Sequence, residues 1–181
     1  MNCSMFKILA LGLFVAAGPV IAKSPITVSV DYAGHGFNTP TELVPDGQPV
    51  NLSVLTGKGT FGKSSIAITV EFIFDENVIG NCPDGYNIPF AILDIDSHLW
   101  AFTTTAADNS QVFGFFNTGW MCLTTDMIHY VGEASGIYFG GSGRYEGATG
   151  DWVSTFEGTN LDPTIGFRSM TGEISGTLYL P

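Results

Sequence analysis

The sequence predicts an all-β fold, an antiparallel β-barrel of about eight strands, and three observations carry that prediction. Apolar and polar residues alternate with a period of two over much of the chain, turn-forming residues interrupt the alternation at short intervals, and 23 glycines are spread through it. No segment after the first 22 residues repeats apolar residues at the spacing of a helix face. Many short strands with glycine-rich connections are what barrels and sandwiches are made of.

In chain order, Lys7 precedes an apolar run over 8–17, and Val20-Ile21-Ala22 before Lys23 is the small-residue pattern that a signal peptidase reads. Residues 1–22 are therefore expected to be a signal peptide, and 23–181 a single barrel domain exported to the periplasm or the extracellular space. The run is shorter than the roughly 20 residues a bilayer needs, so no membrane span is expected in the mature chain. Strand 26–31 follows, then 32–49, where Pro40, Pro45 and Pro49 predict one long loop. Strand 51–56 leads to the clearest alternation, over 64–74, where Ile66, Ile68, Val70, Phe72 and Phe74 share a face opposite Ser65, Thr69 and Glu71. Further strands are predicted over 89–93, 98–104, 112–116, 120–124, 128–139 and 151–157. The last segment places Met170, Ile174 and Leu178 on one face with Gly172 and Gly176.

With 17 acidic against 6 basic residues and a net charge of −11, the chain cannot neutralise a phosphate backbone or an anionic lipid surface. Nucleic acid is excluded as a partner. Export places Cys82 and Cys122 in an oxidising compartment, where a pair predicts a disulfide rather than a metal site. Gly57-Lys58-Gly59-Thr60-Phe61-Gly62-Lys63-Ser64 satisfies the phosphate-loop pattern, but that chemistry needs a helix N-terminus after the loop. A β-branched strand follows instead, so no nucleotide or other cofactor is expected. Asp94, Asp96 and His98 would share a face if a strand ran through them, but Asp and Ser between apolar runs are better read as a hairpin tip, and no metal is assigned. No G-x-S-x-G occurs, and the spacing of His35, His98 and His129 selects no catalytic triad.

A ligand site is expected at Trp100, Phe102, Tyr130 and Arg168, each on a largely apolar strand face. Arg168 shares its face with Met170, Ile174 and Leu178. A cation there finds a carboxylate, with Glu157 or Glu173 as the structural partner, or receives an anionic group of a ligand.

The run Gly140-Gly141-Ser142-Gly143-Arg144-Tyr145-Glu146-Gly147-Ala148-Thr149-Gly150, entered by Ile137-Tyr138-Phe139 and left by Asp151-Trp152-Val153, resembles the turn of allene oxide cyclases and dirigent proteins. The closing strand from Thr171 to Thr177 is similar to that of uncharacterised exported bacterial members of this barrel group. The resemblance implies an antiparallel barrel, often trimeric, around a hydrophobic cavity for a lipid-derived or phenolic ligand. The catalytic segment of the plant cyclases has no counterpart in 26–32 or 51–56, and Glu146 is read as a fold residue that caps the turn or pairs with Arg144. Three functions stay open. They are a module that binds a small hydrophobic ligand, an isomerase or cyclase that confines a reactive intermediate, and a solid-core structural or interaction protein.

Overall fold

The computed structural model describes residues 24–39, 49–92 and 101–181. The expected leader, Trp100 and the Asp94, Asp96 and His98 group lie outside the described residues. Among those described, the chain forms strands β1 (Ile26–Asn38), β2 (Asn51–Gly59), β3 (Gly62–Val70), β4 (Phe72–Phe74), β5 (Tyr86–Ile92), β6 (Ala101–Ala106), β7 (Gln111–Thr124), β8 (His129–Ser142), β9 (Thr149–Asp162) and β10 (Phe167–Tyr179). The only helical pieces among these residues are two 3-10 turns, at Glu76–Asn81 and Gly143–Tyr145.

Pairing runs in one antiparallel circuit. β1 pairs with β2, β2 with β3, β3 with β6, β6 with β7, and on through β8 and β9 to β10, which returns to β1. The result is a closed barrel of eight staves in up-and-down order, a size whose interior side chains can nearly fill. β5 and β6 are two pieces of one stave. Both pair with β7, through Ala91 opposite Trp120 and Ala101 opposite Phe115. On the other side Ile92 lies opposite Phe72 and Ala101 opposite Thr69, whereas an unbroken strand would bring residue 95 to Thr69. β5 and β6 are thus offset in register along the stave. The predicted single strand over 64–74 breaks at the same level, between β3 and β4. Glu71, read as outward-facing, is fully buried there, because alternation of inside and outside stops where the sheet is interrupted.

Two further boundaries differ from the sequence reading. β1 continues to Asn38, so the predicted loop over 32–49 begins as strand, with Tyr32 and Gly36 facing the interior. Gly34, His35 and Gly36 read as turn residues, but pairing with both β10 and β2 holds them extended. Likewise 112–116 and 120–124 are one strand, because Asn117 is a single unpaired residue in the β7–β8 ladder, which resumes at Thr118 and Gly119, rather than part of a turn.

One end of the barrel is closed. Phe61, from the β2–β3 hairpin, is 2% exposed and meets the Tyr145 ring edge-on at 5.4 Å, with Val112, Ala148 and Leu178 buried around them. The phosphate-loop-like segment is therefore a hairpin whose tip plugs the barrel. It feeds a strand rather than a helix. The 140–150 run likewise carries β8 through a tight turn into β9, with positive φ at Gly143 and Gly147.

Glycines inside the staves have another use. A Cβ on Gly114 would strike the Phe102 ring, on Gly132 the Phe156 ring, on Gly158 the Tyr130 phenol and on Gly172 the Tyr32 phenol. Each ring lies across the neighbouring strand where a side chain is missing, which is how large aromatics fit inside a narrow barrel.

Candidate functional site

Among the described residues no side chain plugs the other, open end, which gathers the last residues of β1, the first of β2, β4, the second half of β7, the first residues of β8, the last of β9 and the first of β10. Below it lies a chamber of about 50 Å³, walled by side chains that include Tyr32, Phe102, Phe116, Trp152, Phe156 and Met170. A mouth of about 150 Å³ sits above it, and Phe72, Met121, Tyr130 and Arg168 belong to both walls. The chamber is large enough to admit water or a small group. Exposed apolar side chains stand at this end, Phe74 on β4, Leu161 on β9 and Ile79, Met127, Ile128 and Ile165 on the connections, beside the carboxylates Asp126 and Asp162.

Phe102, Tyr130 and Arg168, three of the four residues expected at a ligand site, are thereby brought to one cavity. Sequence reading missed Tyr32, Asn51, Ser53, Trp152, Ser154 and Phe156 on the same wall. For the last three a signal was present: the even positions 152, 154 and 156 of β9 share a face by simple alternation. Tyr32 was hidden by its neighbouring glycines.

Several polar groups on the wall bond to one another, while the Trp152 indole N–H has no hydrogen-bond partner. Tyr32 and Ser154 share a buried hydrogen bond of 2.8 Å between their hydroxyls. Ser53 Oγ donates to Asn51 Oδ1 at 2.7 Å, and Asn51 Nδ2 donates to Asn38 Oδ1 at 3.1 Å. Arg168 Nη2 donates to that same Asn38 oxygen at 2.9 Å. Its Nε reaches the Gly166 carbonyl at 3.4 Å, and Nη1 lies 3.9 Å from Met121 Sδ. The guanidinium carbon stands 5.7 Å from the centre of the Tyr130 ring, within cation–π range. Burial lowers the Arg168 pKa while the Tyr130 phenol opposes the shift, yet a guanidinium remains charged.

Neither glutamate expected to pair with Arg168 does so. The physical reason is the alternation itself. Arg168 points inward, whereas Glu157 and Glu173 occupy outward positions of β9 and β10, on the other side of the barrel wall. Glu173 instead accepts a long hydrogen bond of 3.5 Å from Ser29 Oγ. Arg144 pairs with Asp108 at 3.3 Å rather than with Glu146, and both side chains are about half exposed, so the pair adds little. Glu146 holds the turn through its own amide, which donates to the Gly143 carbonyl at 3.2 Å. His35 stacks on Phe167 at 5.5 Å, and His129 lies near Thr159; both are exposed, outside the barrel.

Burial pushes the Tyr32 phenol up to about 12, against the opposing effect of its bond to Ser154. Burial also raises Tyr130 and Tyr138, the first opposed by Arg168. Because these folded-state values exceed the unfolded value near 10, their stabilisation is intact below about pH 10 and is lost as pH rises through the folded values. Denaturant unfolding is expected to show a falling midpoint from about pH 10 to 12, with the tyrosinate absorbance of these three residues appearing only as the barrel opens. Complete tyrosine ionisation near pH 10 with the fold intact would contradict their burial.

Comparison of the chain with protein-family models, with curated proteins and with solved structures returns no match.

Proposed function

We propose that this chain is an exported binding protein that holds a small hydrophobic ligand in the open half of its barrel. The supporting observation is the asymmetry of the interior. Among the described residues, aromatic side chains plug one end, whereas the other keeps a chamber and a mouth with exposed apolar side chains around it. A solid-core barrel has no need of that asymmetry. The side chains around the chamber favour holding over converting, since among the described residues none of the chamber-lining side chains is His, Asp or Glu. Export through the leader 1–22 and kinship with allene oxide cyclase-like and dirigent-like barrels, trimers included, belong to the same proposal. The eight-stave topology is compatible with that kinship.

Titration with the neutral fluorophore N-phenyl-1-naphthylamine tests the reading, alongside native mass spectrometry of protein purified from its host. The expected result is saturable binding at one probe per chain, competed by whatever molecule the host protein retains. Absence of saturable binding, with nothing retained, would leave the barrel as a structural or interaction protein.

A further inference from the structure

Arg168 is the one cation at the open end among the described residues. Lys58, Lys63 and Arg144 all belong to connections or strand ends at the plugged end. Its site is also built rather than incidental. The guanidinium sits on the partition between chamber and mouth, held from one side by Asn38, itself fixed by Asn51 and Ser53, and from below by the Tyr130 ring. Every partner is neutral. A guanidinium carries five N–H donors in a planar fork, and here only two meet oxygen, one of them at 3.4 Å, while Nη1 faces a thioether. Taking a cation out of water without a counter-charge is costly. A protein of net charge −11 with many carboxylates on its surface nevertheless directs none of its described carboxylates to this position.

We infer that Arg168 receives the carboxylate of an amphipathic ligand whose apolar tail enters the chamber below. This rests on the ligand-binding reading of the barrel and names the ligand class. The head is planar and singly charged, because one guanidinium fork matches a carboxylate and no second described cation stands near to balance a phosphate monoester. The surrounding negative charge of the protein would repel a dianion further. The tail is short. A chamber of about 50 Å³ takes a few methylenes between Phe116, Trp152, Phe156 and Met170, with the head in the mouth of about 150 Å³. The carboxylate sits in the mouth, and the Asn38 bond holds the fork in place.

The test compares hexanoate with its neutral isostere hexanamide by isothermal titration at neutral pH, on the wild-type chain and on Arg168→Gln and Arg168→Lys. The wild type is expected to bind the acid at least about tenfold more tightly than the amide, the usual worth of a charge-assisted hydrogen bond. In Arg168→Gln the ratio of the two affinities is expected to fall to about one, and in Arg168→Lys to lie between. Equal affinities for acid and amide in the wild type would overturn the carboxylate assignment while leaving a ligand-binding barrel standing. A preference for the acid that survives Arg168→Gln would overturn the role of Arg168. Binding of neither probe, together with no response to N-phenyl-1-naphthylamine, would overturn the ligand-binding reading and the inference with it. The wild-type comparison needs no variant, so a misfolded Arg168→Gln would not protect the inference.

Discussion

Replacing Trp152 by alanine is expected to lower the unfolding free energy by about 3–5 kcal/mol, the usual cost of deleting a large buried aromatic. Trp152 is 2% exposed and packs edge-on against Phe102 and Phe116, each with ring centres 5.0 Å away. Its indole N–H has no hydrogen-bond partner, so the loss is one of packing and cavity formation rather than of a polar contact. Trp152→Phe should therefore cost clearly less than Trp152→Ala. Because the residue lines the chamber, the alanine variant also enlarges the cavity, and larger apolar probes should bind it better than they bind the wild type. Urea unfolding followed by circular dichroism measures the first effect. A loss below about 1 kcal/mol would show that the interior is not packed as described.

Removing the disulfide is expected to cost a similar amount. Cys82 and Cys122 are bonded, with Cα atoms 5.6 Å apart and a sequence separation of 40. Closure of a loop of that length restricts the unfolded chain by about 4 kcal/mol on the chain-entropy estimate, a large share of the 5–15 kcal/mol typical of a domain. Cys122 alternates with Met121 and Leu123, which face the interior, so its sulfur lies on the outer face of β7. It is nonetheless 0% exposed, because the β4–β5 connection carrying Cys82 folds over that face. The bond fastens this connection to the stave that also forms part of the mouth. The double variant Cys82→Ser/Cys122→Ser should unfold at a markedly lower urea concentration than the oxidised chain, and its mouth should bind the neutral fluorophore less tightly. Thiol titration of denatured, unreduced chain 23–181 checks the premise directly: two free thiols per chain would end it, and none is expected.

Much of this barrel is visible in the order of its residues, and the exceptions share a cause. Period two is a property of the extended backbone, so wherever apolar residues alternate with polar ones, as in Ile66 to Val70 or Met170 to Leu178, the strand and its inward face can be read without knowing the neighbours. The disulfide was legible because, with Cys3 inside the expected leader, Cys82 and Cys122 are the only pair left. The same alternation placed Phe102, Tyr130 and Arg168 on inward faces. Carried one step further, it would have excluded Glu157 and Glu173 as partners of Arg168, since all three strand positions have fixed parity.

What the residues could not settle alone was decided by pairing across strands. Gly34, Gly36 and Asn117 to Gly119 look like turns in isolation, but ladders on both sides hold the first two in β1, and pairing of Thr118 and Gly119 with β8 keeps 117–119 within β7. The glycines at 114, 132, 158 and 172 look like weak points, and only the neighbouring strand shows that each is filled by a ring. Closure of the barrel, the plugging of one end by Phe61 and Tyr145, and the meeting of Arg168 with Asn38, 130 residues away in the chain, all depend on register between distant segments. By itself the sequence determined which face of each regular strand is apolar, because that depends only on local backbone geometry. Which faces meet, and that a lone guanidinium ends above an apolar chamber, was decided by the tertiary structure, because hydrogen-bond register and ring closure are properties of the whole sheet.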